Sequence, residues 1–109
     1  MILPLPVKKN KLGQKVADLS TTEYYRQIEE EVLEAYENAV MYETARRIAT
    51  EVCNTYLGEY GRSDEAEELV DVITTCITRL EIIGYDEIKR QELYQAVNEK
   101  NRKRDYFED

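Results

Sequence analysis

Apolar residues recur at helical spacing along most of the chain. Tyr25, Ile28, Val32, Tyr36 and Ala39 fall on one side of a helix, and Ile48, Val52 and Tyr56 continue the pattern on a shifted face. The segment opens with Ser20-Thr-Thr-Glu23, in which the hydroxyl and the carboxylate each satisfy a free backbone N–H, so a helix is predicted to start there. No Gly or Pro interrupts it before Gly58. Unbroken, these ~36 residues would span about 54 Å at about 1.5 Å per residue, longer than a compact domain of this size. A break or a shared multimeric bundle is therefore expected.

Leu57-Gly-Glu-Tyr-Gly-Arg-Ser63 reads as a loop that delivers the chain to a helix N-cap at Ser63, with Asp64 and Glu65 in the first turn. The second helix is predicted from Asp64 to Ile83. Leu69, Ile73, Cys76, Leu80 and Ile83 share a face that Val70, Val72 and Ile77 widen, and no charge interrupts the chain between Asp71 and Arg79. A helix this apolar on most sides is expected to be covered by several neighbours. Gly84 can end it in the left-handed conformation, and Asp86 can cap a third, carrying Ile88, Leu93, Tyr94 and Val97 inward. Residues 1–19 hold both prolines and read as an irregular arm with no assigned chemistry, ahead of a single domain at 20–109. The fold class is all-α, a bundle of three to four helices completed by homo-oligomerisation.

Charge sharpens this picture. The net charge is −8, and from Glu23 to Asp71 there are 14 acidic residues against 4 basic ones. Such a surface repels nucleic acid. Basic residues collect at the ends instead, at Lys8, Lys9, Lys11 and Lys15 and at Lys100, Arg102, Lys103 and Arg104. There is no His, and the two cysteines, Cys53 and Cys76, are far apart and read as core residues, so zinc sites and His-based triads are excluded. Thiols without a secretory signal suit a reducing cytoplasm. No apolar run approaches the roughly 20 residues that span a bilayer. Neither GxxxxGK[ST] nor GxGxxG occurs, which argues against P-loop and Rossmann phosphate sites. The nine tyrosines read mainly as core or interface residues.

The residues that carry chemistry are Glu30-Glu31-Val-Leu-Glu34 and Glu67-Glu68-Leu-Val-Asp71, two copies of Glu-Glu-x-x-acid. Glu31 with Glu34, and Glu68 with Asp71, stand at i and i+3 and leave one helix face together. Each pair lies at the border of its apolar face, so packing the two helices on those faces brings four acids into one cleft. Like charges that close raise each other's pKa, and Mg²⁺, which takes oxygen ligands and keeps several waters, answers the repulsion. Glu-rich helix surfaces also produce ExxE by chance; two such pairs on facing helices are a more specific signal than either alone.

EEVLEA, EELVDV and the terminal NEKNRKRDYF resemble the MazG-like all-alpha nucleoside triphosphate pyrophosphohydrolases over roughly Thr21 to Phe107. The resemblance implies Glu31, Glu34, Glu68 and Asp71 as ligands of Mg²⁺, for which Mn²⁺ can substitute, and Lys100 and Arg104 as triphosphate contacts. Asp105 stands where similar tails often carry a glycine. The implied activity is hydrolysis of a (deoxy)nucleoside triphosphate between the α- and β-phosphates, releasing monophosphate and pyrophosphate, with Glu34 or Glu31 as general base. Asn38, one turn beyond Glu34, is a weaker candidate for a nucleotide contact. The implied partners are the (d)NTP substrate and further copies of the chain, as a homodimer or homotetramer. The competing expectation is a non-enzymatic acidic helical module that binds a basic partner.

Overall fold

The capping box at Ser20 sets the first helix. In the computed structural model, which describes residues 4–51 and 62–107, Glu23 N–H donates to Ser20 Oγ at 3.1 Å and Ser20 N–H donates to the Glu23 carboxylate at 3.4 Å. Such a cap contributes about 1 kcal/mol to helix stability. Helix α1 then runs over Thr21–Glu51. Val52, Cys53, Tyr56 and most of the expected Leu57–Ser63 loop lie outside the described residues.

Helix α2 spans Ser63–Ile82 and α3 spans Glu87–Lys103, so the described residues form three helices and no strand, an all-α fold. Ser63 is the first residue of α2 and not its cap. The capping position is Arg62, which offers no side-chain cap and instead ties α2 to α1. Its guanidinium pairs with Glu65 at 3.1 Å and Glu43 at 3.2 Å, and lies 4.3 Å from the centre of the Tyr42 ring.

Both of the later helices end in the same way. Tyr85 N–H reaches back to the Leu80 carbonyl over Gly84 (φ +101°), and Tyr106 N–H reaches back to the Asn101 carbonyl over Asp105 (φ +62°). As expected, Asp86 caps α3, accepting from Lys89 N–H at 3.0 Å. The turn between α2 and α3 is clamped by buried Arg90, which pairs with Glu81 and donates to the Tyr85 carbonyl at 2.8 Å.

The packing corrects the expected orientation of the helices. α1 and α2 lie side by side, but α2 buries Thr75 and Thr78 along with Ile77 of the expected apolar face, while Leu69, Val70, Ile73 and Ile83 are each about half exposed and Cys76 is exposed. On α1 the inward positions are Tyr24, Glu31 and Ala35, whereas Tyr25, Val32 and Tyr36 face outward. Small hydroxyl side chains satisfy themselves at this seam: Thr75 and Thr78 donate to the carbonyls of Asp71 and Thr74, one turn back. The Tyr24 hydroxyl crosses it, donating to the Thr75 carbonyl at 2.9 Å.

α3 shares no comparable interface with either helix. Ile88 and Val97, expected inside, are 72 % and 40 % exposed. The chain is accordingly extended, with a radius of gyration of 18.1 Å against about 13 Å for a compact domain of this length.

The arm at the N-terminus is irregular but well tied. Val7 N–H donates to Thr78 Oγ1 at 3.0 Å, and Val16, in a short 3-10 turn (Val16–Asp18), is buried. Between them Lys9 and Lys15 pair as an isolated antiparallel bridge that closes a tight turn. Asn10 organises the turn: its Oδ1 accepts from the N–H groups of Leu12 and Gln14, and Gly13 supplies the positive φ of +77°. Its amide also donates to Gln27 on α1 at 3.3 Å.

Candidate metal centre

The seam between α1 and α2 carries the two acidic pairs, because the inward face of each helix includes one. Glu31 and Glu34 lie two turns beyond Tyr24 and Gln27 on α1; Asp71 lies one turn, and Glu68 two turns, before Thr75 on α2. Oxygens of Glu31, Glu68 and Asp71 all fall within 4.8 Å of one another. Glu34 lies next to Glu68, and the two carboxyls act on each other's titration. Three of the four predicted ligands therefore meet in one group, which Glu34 does not join, and they do so on the helix faces that pack together and not on the apolar stripes.

Glu31 is 7 % exposed, and its Oε2, like Oε2 of Glu68, is shut off from water without a hydrogen-bond partner. A buried carboxylate oxygen left unpaired is costly, so the geometry holds unused acceptors aimed into one space. Bonds of about 2.1 Å to Mg²⁺ place ligand oxygens about 3.0 Å apart when adjacent and about 4.2 Å apart when opposite. The oxygens, within 4.8 Å of one another, would draw together around such an ion. Oxygen donors, residual negative charge and unpaired acceptors all fit a hard divalent cation.

Electrostatics divide the four. Burial and then the facing Glu34, with Asp71 and Glu31 adding, hold the Glu68 carboxyl above the usual range. A hydrogen bond from Lys11 does the opposite at Glu34 and holds it below the usual range. Lys11 lies at the tip of the arm's tight turn. Its Nζ is 2.9 Å from both Glu34 oxygens and 3.4 Å from Glu31, which raises the lysine's own pKa.

A cavity of about 250 Å³ opens beside the acids, between the arm and the two helices. Val7 and Leu12 give it apolar wall, while Asn10, Gln27 and Thr74 give it hydrogen-bonding groups next to Glu31 and Asp71. The arm residues were missed in the sequence because the segment has no periodicity. The only signal was a basic run around a glycine, opposite in charge to the acidic middle.

The other candidates lie elsewhere. Asn38 donates its amide to the Glu34 carbonyl at 3.0 Å and lines a separate cavity with Tyr42 and Arg62. Lys100 and Arg104 are exposed on and just after α3, with Arg104 over the Tyr106 ring, and neither lines the cavity at the acids. Glu30 and Glu67, the leading acids of each motif, are exposed.

Comparison with protein-family models, with curated proteins and with solved structures returns no match for this chain.

Proposed function

We propose that this protein is a Mg²⁺-dependent nucleoside triphosphate pyrophosphohydrolase that cleaves between the α- and β-phosphates. The observation that carries the reading is the convergence of Glu31, Glu68 and Asp71 from two helices, with buried, unpartnered oxygens on Glu31 and Glu68 and with Glu34 next to Glu68. Such a site suits hydrolysis of a polyanion because an oxygen-rich cluster binds phosphate only through a cation.

When bound, Mg²⁺ or Mn²⁺ would neutralise phosphate charge and lower the pKa of a coordinated water. The chain's own contribution is positional. Tyr24 and Thr75 fix the seam, the pairs at i and i+3 present oxygens from both sides, and Glu34 or Glu31 takes the proton of the attacking water. The cavity between arm and helices receives the nucleoside, its amides and hydroxyls contacting polar edges and Val7 and Leu12 its flat faces. Purine or pyrimidine, ribose or deoxyribose is left to the pocket's response to substrate.

The working form in this proposal is a homodimer or homotetramer. The half-exposed stripe of Leu69, Val70 and Ile73 on α2, together with exposed Val32 and Tyr36 on α1, supports packing against a second copy. Assembly would also offer a route for Lys100 and Arg104 of a neighbouring copy to reach the phosphates. Among the described residues no helix is long and apolar enough to cross a membrane.

Variants of the ligands test the reading. Asp71→Ala and Glu34→Ala should each abolish nucleotide turnover while far-UV circular dichroism keeps the helical spectrum. Unchanged turnover in either would exclude this site as the catalytic centre. Loss of the helical spectrum in both would assign the acids to structure and favour the non-enzymatic helical module.

A further inference from the structure

The strongest feature outside the four acids is the ammonium already among them. Lys11 contacts Glu34 through both oxygens at 2.9 Å and Glu31 at 3.4 Å, and it is held there by a built turn and not by chance of a free tail. Asn10 bridges the turn to Gln27 of α1, Val7 anchors the segment before it to Thr78 of α2, and buried Val16 anchors the segment after it. The turn thus delivers Lys11, with Lys9 beside the same cavity, to a space that Glu30, Glu31 and Asp71 also line; of the two lysines it is Lys11 that pairs with the acids.

One ammonium does not balance this cluster. Lys11 pairs with Glu31 and Glu34 of α1, and Glu68 and Asp71 of α2 crowd Glu31 from the other side, so its one charge reaches two carboxyls of a cluster of four. It also leaves Oε2 of Glu31 and of Glu68 without any partner. A divalent ion offers twice the charge and short bonds to those oxygens. Once it binds Glu31, Glu68 and Asp71, the ion takes one of the ammonium's two partners and repels the ammonium from beside the other, Glu34, so the ammonium is driven from its place. Lys11 is 67 % exposed, so it can turn away from the acids without unfolding anything. Its tether leaves it beside the cavity, within reach of the open side of the ion where phosphate oxygens would lie.

Resting on the metal-site reading above, we propose that Lys11 is the resident cation of this site, exchanged for a divalent ion on loading, and that its released ammonium then binds the substrate's phosphate oxygens. The two roles have opposite signs in one residue. Removing the ammonium should strengthen metal binding, by taking away a competitor, and weaken phosphate binding, by taking away a ligand.

Isothermal calorimetry on the full chain tests both signs, using Mn²⁺ alone and then inorganic triphosphate added to the Mn²⁺-loaded protein. Lys11→Met keeps the aliphatic stem and, being at an exposed position, the fold; Lys11→Arg keeps the charge. The Met variant should bind Mn²⁺ about two- to fivefold more tightly, the modest size of an exposed ion pair. It should bind triphosphate about tenfold more weakly, the size of one charge-assisted contact. The Arg variant should stay near the wild type in both. Unchanged Mn²⁺ affinity in the Met variant, or tighter Mn²⁺ with unchanged triphosphate affinity, overturns the proposal and leaves the metal site standing. Failure of every variant and of the wild type to bind Mn²⁺ overturns the metal site itself.

Discussion

Tyr24 on α1 donates its buried hydroxyl to the carbonyl of Thr75 on α2, 51 residues away, at 2.9 Å. This bond sits at the seam just beyond the acids and fixes how far apart the two pairs stand. Tyr24→Phe removes the donor and leaves a buried carbonyl with one partner fewer, a loss of about 1 kcal/mol. Chemical denaturation should show that drop with helicity retained. An unchanged midpoint would mean that the seam is held by other contacts.

Glu68 should destabilise the metal-free protein at neutral pH. Its carboxyl is held above the usual range, so the sign is that of a group whose protonation favours the fold. The stability that comes with its proton is present below the unfolded-state pKa and is lost as pH rises through the higher folded value. Glu68→Gln removes the charge, and in EDTA it should raise the melting temperature at pH 7. The gap should close at acid pH, where wild-type Glu68 is protonated. Glu34 has the opposite sign: paired with Lys11 and held low, it contributes above its unfolded pKa and loses that contribution as pH falls through the folded one. A melting-temperature gap independent of pH would contradict this account of Glu68.

The exposed flank of α2 should be an interface. Light scattering at micromolar concentration should give a multiple of the 12.8 kDa chain mass. Ile73→Lys, at the middle of the Leu69–Val70–Ile73 stripe, should shift that mass to the monomer and leave the helical spectrum intact. A monomeric wild type would show that the stripe is solvated in the isolated protein.

Asp105 ends α3 in the left-handed region, at φ +62°, while Gly84 performs the same turn after α2. A side chain there costs up to about 1 kcal/mol, less for Asp than for most residues. Asp105→Gly should therefore be at least as stable as the wild type, and Asp105→Ala less stable than the glycine variant by about 1 kcal/mol. Thermal melts of the three proteins would rank them.

Local chemistry made the helix ends legible in the sequence. The Ser20–Glu23 box, Gly84 and Asp86 each act over three or four residues, and each appears where the pattern places it. Convergence of the acids was legible for the same reason, since i and i+3 share a face. What the pattern could not give was which face meets which. Counting apolar residues put Leu69, Ile73 and Cys76 inside, but the seam uses Thr75 and Thr78, whose hydroxyls bond to their own helix and so pack as small side chains. Lys11 was illegible because an irregular arm has no period, and the turn that aims it depends on Asn10 reaching Gln27, 17 residues on.

The most direct test of the metal-dependent pyrophosphohydrolase reading is to incubate the purified protein with a panel of ribo- and deoxynucleoside triphosphates, with and without Mg²⁺ or Mn²⁺, measuring pyrophosphate and monophosphate separately. Metal-dependent release of equal amounts of the two, from at least one nucleotide, is the result predicted by the convergent carboxylates. No turnover of any nucleotide, together with no thermal stabilisation by either metal, would contradict it.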